Sequence, residues 1–187
     1  MKCTARLCTK LRALLGSAFC VLTCLALAQQ PPVTVERLGV SETLLGILSY
    51  ARWPNESMPL RLCVAGHSIH TEHLLKNGLA ALAQRPIVVH TLVLDNEAPI
   101  ATQCDALYIG TLDESTSRRI FSSVVGYPVL TVSERIPPCA TGAMVCLDAN
   151  DQNSVQFEVN LDAVARSGVR VNPQVLRLGR RSGKARP

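Results

Sequence analysis

Short apolar runs alternate along this chain with stretches of helical spacing, and that alternation restricts the fold more than any other feature. LRLCVA (60–65), IVVHTLVL (87–94), ALYIG (106–110) and YPVLTV (127–132) are β-branched or continuously apolar. Runs of that length and content read as buried strands. Between them lie segments with apolar residues at helical intervals. Leu38, Leu44, Leu45, Leu48 and Tyr50 predict a first helix that stops at RWPNESMP, where Pro54 and Pro59 forbid continuation. TEHLLKNGLAALAQ predicts a second helix over 71–84. Asp113 or Ser115 caps a third that runs to about Val125. Strands alternating with helices imply a mostly parallel sheet flanked by helices.

Past Pro137, Pro138 and Gly142 the pattern changes. Ala143–Leu147 and Val155–Asn160 flank the polar turn NDQN and predict an antiparallel hairpin. A short helix over Leu161–Arg166 ends at Ser167-Gly168, and Pro173 starts a last helix, PQVLRL. The expected class is therefore α/β: a small, mostly parallel sheet with an antiparallel hairpin, flanked by helices. One domain is expected over 33–180. Residues 181–187 are expected to form a disordered basic tail.

The start of the chain reads as a secretory signal. Lys2, Arg6, Lys10 and Arg12 precede an apolar run, Ala13–Leu27, and Ala26-Leu27-Ala28 supplies small residues for a cut after Ala28. The run is short for a spanning helix, which needs roughly 20 apolar residues. A lipid-modified Cys24 and an uncleaved anchor are the alternatives. Without residues 1–28 the net charge falls from +5 to +1. The remainder is asymmetric: residues 29–165 carry 8 Lys/Arg against 14 Asp/Glu, while 166–187 carry 7 Lys/Arg and no acid. An acidic body argues against nucleic-acid binding and puts any attraction for anions at the C-terminal end.

Four cysteines remain after the signal: Cys63, Cys104, Cys139 and Cys146. An even number in an exported chain predicts two disulfides, and sequence alone leaves three pairings open, the PPCATGAM segment being one that turns back readily. Catalytic signatures are absent: the chain has no phosphate loop, GxGxxG, GxSxG or HExxH. His67, His70 and His73 stand three apart and offer a metal-binding reading, against the plainer one of solvated residues at a helix start. His90 reads as a partly buried strand residue. Gly110-Thr111 follows a strand, a favoured ligand position in open sheets, but a single glycine is a weak signal. Neither Asp105 nor Glu134 has an evident carboxylate partner. Asn55-Glu56-Ser57 is a glycosylation sequon where the source modifies exported proteins.

Several segments, taken in order, resemble the YfiR family of periplasmic regulators: YARWP (50–54), LRLCV (60–64), QCDALYIG (103–110), CATGAMVCLDAND (139–151) and FEVNLDAVARSGVRVNPQVLRL (157–178). The resemblance implies a regulator, not an enzyme, with no cofactor. It implies a periplasmic repressor that binds the periplasmic region of a membrane-bound diguanylate cyclase, lowering cyclic di-GMP and biofilm formation. It further implies an OmpA-like outer-membrane lipoprotein as sequestering partner, a dimerising α/β sandwich, and cysteine redox state as a second input. The pairing it implies is Cys63–Cys104 and Cys139–Cys146.

Arg52 and Arg170 lie inside the most recognisable of these segments. Arg170 alternates with Val169 and Val171 and points outward while they pack. If the C-terminal segment folds back beside the first helix, Arg52 and Arg170 converge on an anion with Asn172 nearby. The alternative is two solvated arginines. Three functions are thus in view: a repressor acting by protein contact, a sensor holding a small ligand, and a metal or redox enzyme in which His70 and His73 meet a third ligand.

Overall fold

A computed structural model of the protein describes residues 39–94, 99–134, 142–149 and 155–182. The expected signal segment, Cys139 and residues 183–187 lie outside the described residues.

The chain enters through α1 (Val40–Tyr50) and passes directly into a two-residue strand, β1 (Ala51–Arg52). β2 (Leu60–Ala65) leads to α2 (Ile69–Asn77) and β3 (Ile87–Thr91). A short helix, α3 (Ile100–Gln103), precedes β4 (Ala106–Ile109), which is followed by α4 (Glu114–Val124) and β5 (Leu130–Glu134). β6 (Val145–Ala149) and β7 (Val155–Val159) form the hairpin, and α5 (Leu161–Ser167) leads to β8 (Arg170–Val171). A 3-10 turn at Pro173–Val175 opens into α6 (Leu176–Ser182). That last helix carries order two residues past the expected end of the domain at 180.

Six strands form one sheet in the order β3-β2-β4-β5-β6-β7. The first five are parallel neighbours, and β7 returns antiparallel to β6. The expected α/β class is therefore what the chain adopts. β1 and β8 make a second, two-stranded antiparallel sheet.

Period-2 alternation divides the core between the two faces. Leu62 and Val64 of β2, Ala106 and Tyr108 of β4, and Leu130 and Val132 of β5 share one face with Leu44, Ile47 and Leu48 of α1. Cys63, Ala65, Leu107 and Ile109 face the other way, onto Ile100 of α3 and Ile120, Phe121 and Val124 of α4. Fully burying a side chain such as Leu48 or Ile120 contributes about 1.5–3 kcal/mol. Each layer is thus fixed by which residues of a strand are apolar, and a register slip would turn both sets the wrong way.

Local signals place the helices. Ser68 caps α2, accepting from the His70 and Thr71 amides while Thr71 Oγ1 accepts from the Ser68 amide. Asp113 caps α4, its Oδ1 accepting from Thr116 N at 2.9 Å. α2 ends at Asn77, well short of the expected residue 84. Gly78 at φ 69° breaks the helical path there, so Leu79 and Leu82 pack on the core from an irregular segment. α6 folds back on α1: Leu178 packs over Gly46, where an added Cβ would meet its Cδ1 at 2.7 Å. Among the described residues no helix is long and apolar enough to cross a membrane.

Candidate functional site

The strand order reverses between β2 and β4, since β2 is followed in space by β3 on one side and β4 on the other. Sheets of this order receive ligands in the crevice at the carboxyl ends of those two strands. Here the crevice is closed by the protein itself. His67 and Thr111 exchange both backbone hydrogen bonds at 3.1 Å, stitching the two loops together. Two glycines make this approach possible. A Cβ at Gly110 would sit 2.8 Å from Thr71 Cγ2, and Gly66, at φ 78°, would place one 2.6 Å from Thr111 O. Behind the stitch the Glu134 carboxylate meets Ser68, the cap of α2. Its Oε1 accepts from Ser68 Oγ and, at 2.9 Å, from Tyr108 OH. Burial, then the Glu134 charge and that hydrogen bond, push the Tyr108 hydroxyl well above its ordinary range, so it stays a neutral donor. A carboxylate of the protein thus sits beside the helix start where a ligand's anion would lie. The weak Gly110-Thr111 signal marks this closure.

A second concave region lies where the ends of the domain meet. α1 runs without a loop into β1, and β8 pairs with it antiparallel, so Ala51 faces Val171 and Arg52 faces Arg170. Asn172 N donates to Tyr50 O at 2.9 Å and extends the junction. Directly opposed residues of an antiparallel pair have Cα atoms about 4.5–5.5 Å apart and side chains on one face. Both arginines are exposed. They line a groove of about 420 Å³ with Ser49, Tyr50, Asn172 and Pro173. Arg52 Nη1 donates to Ser49 O at 2.8 Å and Ala51 O at 2.7 Å, satisfying carbonyls left open at the end of α1. Arg170 has no ion-pair partner among the described residues. Asn172 Oδ1 is committed to Gln174 N at 2.9 Å, as the cap of the 3-10 turn, which leaves its amide hydrogens as donors. The three residues named from sequence therefore share one groove.

A polar hub centred on Asp105 has no signal in the sequence. Asp105 accepts from Arg61 at three points: the backbone amide at 2.8 Å, Nε at 3.1 Å and Nη2 at 2.8 Å. It also accepts from Ser57 Oγ at 2.6 Å, and its backbone carbonyl accepts from the Trp53 indole at 2.8 Å. Arg85 binds Ser57 and lies 5.1 Å over the Trp53 ring. Burial pushes the Asp105 carboxyl up, but the bonds from Arg61 and Ser57 outweigh it and hold it below the usual carboxylate range. No spacing in the sequence relates residue 61 to residue 105. The parallel register that sets Leu62 against Ala106 creates the pairing.

The cysteines and histidines separate into two groups. Cys63 and Cys104 form a disulfide, with Cα atoms 5.6 Å apart, inside the core on the α3–α4 face. Cys146 is disulfide-bonded too. His90, read only as a strand residue, is the register partner of Cys63 and sets Nε2 3.2 Å from its Sγ. His67, His70 and His73 join no cluster of metal-ligating side chains among the described residues. His67 is taken up in the stitch at Thr111, and His73 Nδ1 lies 3.5 Å from Ser41 Oγ.

A family model described as YfiR/HmsC-like matches residues 40–180. The matched span starts at the first residue of α1, ends within α6 and includes every strand of both sheets. The closed sheet end, the opposed arginines and the buried cysteine pair all fall inside it, and the chain belongs to the YfiR/HmsC-like family.

Proposed function

We propose that this protein is a periplasmic repressor that binds the periplasmic region of a membrane-bound diguanylate cyclase and holds it inactive, lowering cyclic di-GMP and biofilm formation. Family membership carries the reading, since YfiR/HmsC-like proteins are periplasmic regulators in the cyclic di-GMP pathway rather than catalysts. Self-closure of the sheet's ligand crevice by His67, Thr111 and Glu134 supports control through surfaces rather than through a substrate at that position. In this reading residues 1–28 direct export, the repressor works as a homodimer, and an OmpA-like outer-membrane lipoprotein sequesters it. Cys139–Cys146 is the second disulfide, and reduction of the cysteines loosens repression. Size-exclusion chromatography of the exported protein mixed with the cyclase's periplasmic region tests the contact. Co-elution is expected, and separate elution at every concentration contradicts it.

A second reading is favoured by one observation, the opposed Arg52 and Arg170. Like charges directly across a ladder are destabilising unless something neutralises them. A small molecule bearing a phosphate or carboxylate, held by both guanidiniums and by the Asn172 amide, would supply that charge and tune the grip on the cyclase.

A further inference from the structure

Cys63, Cys104 and His90 converge from three different parts of the fold. Cys63 lies in the interior of β2, with β3 on one side and β4 on the other. The β2–β3 register sets His90 directly opposite it. Cys104 arrives from α3, whose end it closes by donating its amide to Ile100 O at 2.9 Å. The next residue, Asp105, anchors that corner to Arg61. The two sulfurs and a ring nitrogen of His90 all lie within 4.8 Å of one another. A metal bound at about 2.0–2.3 Å by three such donors would hold them about 3.5–4 Å apart. Filling the site therefore asks for no movement of the strands. The sulfurs need only part from bonding distance, and His90 is already in place.

We propose that, once the Cys63–Cys104 disulfide is reduced, these two thiolates and His90 bind one thiophilic cation, Cu(I). Two thiolates and an imidazole form a soft donor set. Among the described residues no further His, Cys, Asp or Glu joins the cluster, and Leu92, Ile100 and Leu107 belong to the same buried core. Three donors in an apolar wall suit Cu(I), which accepts three-coordination, better than Zn(II), whose structural sites take four. Entry is from the sheet edge: β3 is an edge strand and His90 on it is half-buried.

The steps balance. A dithiol reductant gives two electrons and two protons to the Cys63–Cys104 bond. The bond opens to two thiols while the reductant closes to its own disulfide. Cu(I) then displaces the two thiol protons, and His90 adds its neutral nitrogen lone pair. Disulfide and metal occupancy exclude each other, so one buried position responds both to thiol redox state and to soft metal. The site shares its cysteines with the redox input of the repressor reading, but its metal binding is tested without the cyclase.

The test is an anaerobic Cu(I) titration of the exported protein against a colorimetric Cu(I) chelator, before and after dithiol reduction and desalting. The reduced protein is expected to take up one Cu(I) that the oxidised protein does not hold. Cys63→Ser with Cys104→Ser is expected to abolish that site, and His90→Leu to weaken it about tenfold or more. His90→Gln serves if the leucine variant does not fold. X-ray absorption should show two sulfurs and one nitrogen around copper. Undiminished affinity without Cys63 and Cys104, an affinity unmoved by loss of His90, an all-sulfur coordination sphere, or equal uptake by the oxidised protein would each overturn the proposal. Tighter binding of Zn(II) than of Cu(I) overturns the choice of metal.

Discussion

Arg52 and Arg170 face each other across the two-residue ladder that ties the end of α1 to the segment after α5. Arg52 is engaged by backbone carbonyls, whereas Arg170 has no ion-pair partner among the described residues. In the ligand-sensing reading, inorganic phosphate or pyrophosphate raises the melting temperature of the native protein, and Arg170→Ala removes the rise. Without added anion the same variant is expected to be neutral or slightly stabilised, by up to about 1 kcal/mol, because a like-charge pair is relieved. Differential scanning fluorimetry at low salt reads both effects. An anion-dependent shift that survives in Arg170→Ala removes the groove from consideration.

Asp105 joins Arg61, Ser57 and the Trp53 loop to the sheet. Asp105→Asn is expected to cost about 2–3 kcal/mol in urea unfolding at neutral pH, the range for losing charge-assisted bonds at a buried carboxylate. The carboxyl is held below its unfolded value of about 3.9. Its contribution is therefore fully present above that pH and is lost as pH falls through the lower folded value. The gap between wild type and Asp105→Asn should therefore narrow as pH falls below the unfolded value. A gap of the same size at acid and neutral pH contradicts the assignment.

Cys63–Cys104 spans 41 positions of sequence. Loop entropy for that length corresponds to about 4 kcal/mol. Cys63→Ser with Cys104→Ser should lower unfolding free energy by about 3–4 kcal/mol without a change of fold, read by denaturant titration and far-ultraviolet circular dichroism. A change under about 1 kcal/mol would mean that the unfolded chain is already compact around this pair.

The stitch at the sheet end depends on glycine. Gly66→Ala combines a left-handed backbone position with a contact of 2.6 Å to the Thr111 carbonyl, and the backbone has no cheap way to yield. A loss of about 2 kcal/mol or more is expected in chemical denaturation. A neutral effect would show that the two loops are not held together.

The layers of this fold were legible because burial on both faces leaves a plain mark: LRLCVA and ALYIG are apolar throughout, and they form central strands. The hairpin was legible from alternation around a polar turn. β1 and β8 were not, since two residues carry no periodicity and their pairing needs the C-terminal segment to fold back beside α1. The convergence of Arg52 and Arg170 was legible only as a condition on that fold-back. The Asp105–Arg61 and Cys63–His90 contacts are products of register between strands distant in sequence, for which a single chain shows no local signal. The length of α2 was overread because LAALAQ has helical composition, whereas Gly78 sets the end.

The proposed repression of a diguanylate cyclase is read most directly from intracellular cyclic di-GMP in cells lacking this protein, alone and together with loss of the membrane-bound cyclase. A rise is expected in the single deletion that disappears in the double. Unchanged cyclic di-GMP in the single deletion, or a rise that persists without the cyclase, would contradict it.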